Sequence, residues 1–272
     1  MHKVSRFDIT ENKIERFIKE GRGRGTLADY LPWLTISDLS SQGLSSRVWW
    51  HNTLRIHHLF SDLERSCFWI NQRESGVTDI REQFPLERSI TRQISKDLGY
   101  KHPKYKGVEP YMTTDLLIDF SGKKPRKAVY VKYKDDLDDE RTFEKLCIEI
   151  EYWERKEIEL EIFTEEQATP VILDNIRWLS VVEPVLSPID DLKMRAKFYV
   201  QQMMLHPNVP LTTFAQEIDR RYGYDSKEIG KSLFEIKELI AIGLFKFDFN
   251  LNFRTLICSD IHSTVVNVEY AA

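Results

Sequence analysis

Three residues of the types that can cut a phosphodiester bond stand out in this sequence, namely Glu64, Asp115 and Lys132. Asp115 lies on one expected strand and Lys132 on the next, whereas Glu64 lies on an expected helix at 59–74. Two carboxylates can hold a divalent metal ion against a phosphate, and a lysine can orient the attacking water or stabilise developing negative charge. The pattern therefore predicts a Mg²⁺-dependent DNA endonuclease in which Mn²⁺ should substitute.

The elements that must position these residues follow from hydrophobic periodicity. Strands are expected at 77–84, 112–120, 127–133 and 158–163, and a helix is expected at 139–156. Because this helix links the last two strands, those strands should pair in parallel through a right-handed crossover.

Alternation along the strands predicts which side chains share a face. Asp115 should share its face with Leu117, whereas Tyr130 and Lys132 should point together and away from Val131. The backbone carbonyl of Val131 could then join a metal shell without using a side chain.

A plainer interpretation competes with each of these assignments. Glu64 could be a solvated charge on a helix surface, and an aspartate followed by a lysine on a hairpin also occurs by chance. Glu149 and Glu151 flank Ile150 on the expected helix and are expected to face solvent or to make ion pairs.

Length and composition indicate a folded protein of two domains. The chain has 272 residues, of which 42% are hydrophobic and 30% charged, without a long low-complexity tract. No apolar run approaches the roughly 20 residues that a membrane helix needs, so a cytoplasmic protein without membrane contact is expected. The three widely spaced cysteines suggest reduced thiols rather than a disulfide framework or a zinc site.

The net charge of −4 excludes a protein that coats nucleic acid through bulk electrostatics. Any DNA contact must therefore be local. The basic residues that could supply it are Arg22, Arg24, Arg47, Arg55, Lys227, Lys231 and Lys237.

The last third of the chain has a different pattern, which begins after Pro184 and Pro188. It predicts two consecutive helices and then two strands around a turn at 250–252, which is the element order of a winged helix. We therefore expect domains at 1–184 and 185–272. The second domain could bind DNA or dock a partner protein, and the sequence leaves both roles open.

A family resemblance joins these observations. The segments EGRGRGTLADYLPWL, IHHLFSDLE, DIREQFPL, MTTDLLIDF, VKY and DDERTFEKL resemble, in this order, the TnsA endonuclease subunit of heteromeric DNA transposases. The resemblance covers roughly residues 20 to 180. It implies an α/β restriction-endonuclease-like catalytic domain of the PD-(D/E)xK type, followed by an α+β winged-helix domain.

The resemblance also implies a division of roles. Glu64, Asp115 and Lys132 would be the catalytic residues, and Glu64, Asp115 and the Val131 carbonyl would hold the metal. Tyr130 stands where the family pattern has glutamine, so it is kept as a neighbour of the site and not as a ligand.

The function implied is a Mg²⁺-dependent nick of the 5′ strand at each transposon end. A separate TnsB-like transposase would cut and join the 3′ strands, and a TnsC-like ATP-dependent regulator would complete the machine. The alternative is a non-catalytic DNA-binding or adaptor subunit with a degenerate nuclease site, which the tyrosine at position 130 keeps open.

Overall fold

The computed structural model describes residues 8–38, 45–122, 126–179, 188–224 and 228–265. Contacts divide the chain into two compact units. One consists of Met1–Val48 and Arg55–Ala168, and the other of Trp49–Leu54 and Thr169–Ala272.

The first unit contains a mixed four-stranded sheet with helices on both faces. The helices are α1 (Glu11–Lys19), α2 (Asp62–Asn71), α3 (Arg88–Asp97) and α4 (Glu140–Glu154). The strands are β2 (Arg55–Leu59), β3 (Val77–Pro85), β4 (Thr113–Phe120), β5 (Arg126–Val131) and β6 (Glu159–Phe163), preceded by β1 (Ser46–Trp50), whose last two residues group with the second unit. The sheet order is β3-β4-β5-β6, and β1 pairs separately with β2.

Strand direction follows from the connections. β3, β4 and β5 pair antiparallel, with α3 inside the long connection between β3 and β4 and a short link between β4 and β5. β5 and β6 pair in parallel because α4 crosses between them. The predicted parallel crossover is therefore confirmed. Helix α3 and strand β2 were not predicted.

Buried side chains cover both faces of this sheet. On one face Leu117 and Ala128 pack into a cluster with Ile148 and Trp153 of α4. On the other face Leu116 and Ile118 are buried, and α2 contacts β4 and β5. Helices α2 and α4 thus approach the central strands from opposite layers.

The second unit is mainly helical. Its helices are α5 (Pro170–Leu179), α6 (Ile189–Met204), α7 (Leu211–Tyr222) and α8 (Lys231–Ala241). Two short strands follow, β7 (Phe245–Lys246) and β8 (His262–Ser263), and they pair antiparallel. Asp219 of α7 caps α8, since its carboxylate accepts the N–H groups of Gly230 and Ser232, both at 2.9 Å.

The hairpin predicted around residues 250–252 is wrong, because β7 pairs with a strand further along the chain. Asn175 of α5 explains the difference. Its side-chain NH₂ donates to the carbonyls of Phe249 and Leu251, and its oxygen accepts the Phe253 N–H. These bonds tie the segment to α5 instead of to a partner strand.

Helix α5 also bears on the division of the chain. The sequence pattern predicts a first domain that ends at residue 184, whereas α5 groups with the second compact unit, whose larger segment begins at Thr169. Pro184, one of the two prolines that suggested the boundary, lies in the range 180–187, which is outside the described residues.

Two further expectations concern composition. The three cysteines are free thiols, of which Cys67 and Cys258 are buried and Cys147 is half-buried. None of the helices in the described ranges combines the length and the apolar character that crossing a bilayer requires.

Candidate active site

Glu64 lies in the first turn of α2 and is buried. The helix begins after Ser61, whose hydroxyl accepts the Glu64 N–H at 3.0 Å. Glu64 Oε2 in turn accepts the Phe60 N–H at 2.9 Å, so the side chain folds back over the helix terminus in the manner of a capping box. Its interpretation as a solvated surface charge is therefore wrong.

Asp115 lies where β4 and β5 stop pairing. Their ladder runs as far as Leu116 opposite Val129. Beyond that pair, Asp115 Oδ2 accepts the Val131 N–H at 2.7 Å, so a side chain takes the place of the next ladder bond. The Asp115 carboxylate is thereby held at the separated ends of the two strands.

The two acids are electrostatic neighbours. Burial and the charge of Asp115 raise the pKa of Glu64 to about 8. Burial also raises the pKa of Asp115 to about 6, although the Val131 N–H, Lys132 and Gln83 act in the opposite direction. Each carboxyl resists ionisation in this setting, and a cation between them would remove that resistance.

Lys132 follows directly after β5. Its ammonium lies 3.8 Å from the Asp136 carboxylate and its side chain is 37% exposed. Its charge acts to lower the pKa of Asp115, which places the two groups within electrostatic reach. The structure thus brings together all three residues that the sequence singled out.

Val131 and Tyr130 lie on either side of the strand end, as alternation predicted. The Val131 side chain is buried and its residue pairs with Phe163 of β6. Burial, with Glu149 and Asp115, raises the pKa of Tyr130 above its usual value, so Tyr130 remains a neutral phenol beside the acids.

The prediction for Glu149 is wrong, because its side chain is buried. Glu149 Oε1 accepts the Thr114 hydroxyl at 2.7 Å, and the same hydroxyl accepts the Trp153 indole N–H at 2.7 Å. Burial and the nearby Asp115 raise the pKa of Glu149 well above its usual value. Glu151 does make the expected ion pair, with Arg155.

Sequence reasoning missed one residue beside Asp115 and one near Lys132. Gln83 of β3 has its side-chain Nε2 atom 3.4 Å from Asp115 Oδ1. Lys145 of α4 is half-buried, and burial and the charge of Lys132 lower its pKa. Its position three residues before the buried Ile148 gave no signal of chemistry, because lysines are common on helix surfaces.

Comparison with known proteins places this site in a family. Residues 74–165 match the family described as "TnsA-like endonuclease N terminal", and residues 169–249 match "TnsA endonuclease C terminal". The chain is 43% identical over 264 residues to the Transposon Tn7 transposition protein TnsA of Escherichia coli, covering 96% of this chain and 95% of the relative. The chain belongs to the TnsA endonuclease family.

The family assignment agrees with the sheet. Mixed strand pairing with helices on both faces fits the restriction-endonuclease-like fold expected for TnsA. The two matched ranges adjoin between residues 165 and 169, where the compact units also divide.

Two of the arginines predicted to contact DNA are engaged inside the first unit. Arg55 is buried with its guanidinium on the Glu82 carboxylate. Arg22 forms an ion pair with Asp38 at 2.5 Å and covers the Phe17 ring at 3.7 Å. Both arginines hold the interior of the first unit together.

The other predicted contacts differ in their availability. Arg24 and Arg47 are exposed. Lys231 pairs with Glu228 at 3.1 Å, and Lys237 is buried over the Trp178 ring, which excludes it as a phosphate contact. Lys227 lies outside the described residues.

Proposed function

We propose that this chain is the subunit that nicks the 5′ strands at transposon ends by metal-dependent phosphodiester hydrolysis. One observation carries the proposal: the buried carboxylate of Glu64 on α2 and the half-buried carboxylate of Asp115 on β4 lie within electrostatic reach of each other, and Asp115 lies within reach of Lys132, where β4 and β5 separate. The membership of the chain in the TnsA endonuclease family supports the same reaction.

The donor set suits magnesium. Within the described ranges, histidine, cysteine and acidic side chains form no group of three or more that could hold a metal ion. Mg²⁺ prefers oxygen ligands and keeps several waters, so Glu64, Asp115 and the Val131 carbonyl would be sufficient. Mn²⁺ should substitute because it accepts the same ligands. Bound there, the ion would polarise the scissile phosphate and acidify a coordinated water.

The protein groups around the acids have separate roles in this proposal. The Val131 N–H fixes one oxygen of Asp115, and the Phe60 N–H fixes one oxygen of Glu64. Lys132 is partly exposed, so its ammonium can reach a phosphate or orient the attacking water.

DNA would reach the site over a local positive surface. Lys145 makes no ion pair with a described residue and lies close enough to Lys132 for their charges to repel. A phosphate placed between the two ammonium groups would relieve this repulsion. We therefore assign Lys145 to the DNA backbone beside the scissile bond.

The second unit would serve assembly. Its helices followed by an antiparallel strand pair support a winged-helix class, which can bind DNA or dock proteins. The partners proposed are a TnsB-like transposase, which cuts and joins the 3′ strands, and a TnsC-like ATP-dependent regulator. The relative's name, a transposition protein, supports a role within such a machine.

The test is a nicking assay with partner transposase and transposon-end DNA. Glu64→Gln, Asp115→Asn and Lys132→Met should each abolish 5′ nicking while strand joining continues and gives cointegrate products. Glutamine at position 64 keeps an oxygen for the Phe60 N–H, so the helix cap survives. Asp97→Asn and Lys134→Met, both at exposed positions, are the matched controls.

The alternative is a non-catalytic adaptor with a degenerate site, for which Tyr130 is the only specific motive. The same assay separates the two functions. Near-normal nicking by folded Asp115→Asn would overturn the site assignment, and a wild-type chain that assembles but never nicks would establish the adaptor.

A further inference from the structure

Gln83 has a backbone conformation that its neighbours do not share. Its φ is 49°, in the left-handed region, although it lies inside β3. Regular pairing surrounds it, with Glu82 opposite Leu116 and Phe84 opposite Thr114. A residue with a side chain in this region costs of order 1–3 kcal/mol and persists only where its surroundings fix it. Such outliers cluster at functional sites.

The side chain of Gln83 is buried and both ends of its amide are bonded. Its Nε2 atom donates to Asp115 Oδ1 at 3.4 Å, and its Oε1 atom accepts the Thr113 hydroxyl at 3.0 Å. A carboxylate can only accept, so the amide nitrogen must face Asp115. The Thr113 hydroxyl fixes that orientation by donating to the other end.

The backbone around Gln83 is fixed from two further directions. Its carbonyl accepts the Trp33 N–H at 3.3 Å, so the peptide turns away from the regular ladder. The preceding residue, Glu82, is buried between Arg55 and His57, at 2.7 and 2.9 Å. These contacts stabilise a conformation that an isolated strand would not adopt.

We propose that Gln83 is a positioning residue that sets the orientation of the Asp115 carboxylate. Asp115 then receives one hydrogen bond from each neighbouring strand, at Oδ1 from β3 and at Oδ2 from β5. Each carboxylate oxygen can accept a second bond, and that capacity is left for the metal ion. The inference rests on the proposed function, because it assumes that Asp115 holds the metal.

Two substitutions separate the hydrogen bond from the backbone strain. Gln83→Met keeps a side chain of similar length but removes the donor. Gln83→Gly removes the donor and relieves the left-handed backbone, so this variant should not be limited by strain. Gln93→Met, at an exposed glutamine of α3, is the matched control.

The first readout is Mn²⁺ binding to the full-length, DNA-free protein by calorimetry and electron paramagnetic resonance. Both Gln83 variants should bind Mn²⁺ about 10–100-fold more weakly, the effect typical of lost ligand-orienting contacts. The second readout is nicking, in which kcat should fall while KM for DNA stays unchanged. Gln93→Met should match wild type in both.

Three outcomes are decisive. Normal Mn²⁺ affinity and kcat in folded Gln83→Met or Gln83→Gly would overturn the inference. A lower melting temperature with unchanged Mn²⁺ affinity would also overturn it, because it would assign a purely structural role. Asp115→Asn, run alongside, shows which claim fails: if it too binds Mn²⁺ and nicks normally, the proposed function itself is wrong.

Discussion

Glu64 combines two roles that a single substitution would confuse. Its carboxylate accepts the Phe60 N–H at the start of α2 and also lies beside Asp115. Glu64→Ala would remove a helix cap worth about 0.5–2 kcal/mol together with the proposed ligand. Glutamine retains the acceptor and removes only the charge, which is why it is the informative change at this residue.

The raised pKa values of Glu64 and Asp115 predict a pH-dependent stability. Both folded-state values exceed the ordinary ones of 4.5 and 3.8, so the folded protein binds more protons than the unfolded chain. Between about pH 4 and pH 8 these two groups should therefore make the free energy of unfolding fall as pH rises. The lowered pKa values of His51, His57, His58 and His102 act in the opposite direction. The measurement is therefore the melting temperature of wild type minus that of Glu64→Gln/Asp115→Asn in chelator, and this difference should decrease with pH.

Added Mg²⁺ should reduce that decrease, because a cation stabilises the ionised carboxylates. The double variant Glu64→Gln/Asp115→Asn should lose the part of the slope that depends on Mg²⁺. An identical pH slope in wild type and double variant, with and without Mg²⁺, would contradict the electrostatic account.

Tyr130 gives a second prediction at the scale of a residue. Its pKa is raised by burial, so the phenol stays protonated and is a weak ligand. We expect Tyr130→Phe to keep most nicking activity with a similar Mg²⁺ requirement, and Tyr130→Gln to equal or exceed wild type. A loss of activity in Tyr130→Phe that extra Mg²⁺ restores would show that the hydroxyl helps to hold the ion.

At the scale of elements, a buried charge network joins β2 to β3 behind the site. Glu82 accepts Arg55 Nη1 at 2.7 Å and approaches His57 Nδ1 at 2.9 Å. Although burial acts to raise the pKa of Glu82, His57 and Arg55 lower it to about 2, so the group stays ionised. The network therefore holds the strand that carries Gln83.

We expect Glu82→Ala to lower the free energy of unfolding by about 3–5 kcal/mol, because it removes the 2.7 Å partner of the buried Arg55 and leaves only the longer pair with Asp79, at 3.8 Å. Replacing both partners by leucine should cost less than the single change. Urea denaturation measures these differences, and Glu87→Ala, in an exposed pair with Lys156, should change stability by no more than about 1 kcal/mol. A small effect of Glu82→Ala would show that the network does not fix these strands.

In the first unit, the sequence predicted the elements with clear periodicity and missed two elements with polar residues on their buried faces. Helix α4 and the four sheet strands have apolar residues at regular spacing, and all were expected. Helix α3 was not, because its buried residues include Thr91 and Ser95. Strand β2 buries Arg55 and His57 on the same side as Leu59, so its alternation is hidden by polar side chains.

The same reason explains the errors within the site. Glu149 lies three residues after Leu146 and four before Trp153, on the buried face of α4. The helical spacing therefore contained the signal, but the charge of the residue favoured solvent. Gln83 could not have been found, because its role depends on a backbone angle and on a contact across strands.

At the scale of the whole molecule, several basic residues form ion pairs within the protein and are therefore not available to contact DNA phosphates. Arg22, Arg55 and Arg81 are all engaged by carboxylates in the first unit. With a net charge of −4, the protein should bind DNA through few phosphate contacts. Binding of DNA alone should therefore depend weakly on salt, and assembly should depend on partner proteins.

The division into two units predicts what a fragment can do. A fragment that ends at Ala168 contains the complete four-stranded sheet with Glu64, Asp115 and Lys132. We expect it to fold and to bind Mn²⁺ as the full chain does, but to fail in nicking with the partner transposase and the ATP-dependent regulator.

Because the buried Trp50 groups with the second unit, a second fragment carrying Trp50→Ser guards against aggregation through that side chain. Circular dichroism checks folding, calorimetry checks Mn²⁺ binding, and the nicking assay checks activity with the partner proteins. Full nicking by either fragment would show that residues beyond 168 are not required for assembly, and a folded fragment that binds no Mn²⁺ would show that the metal site needs the second unit.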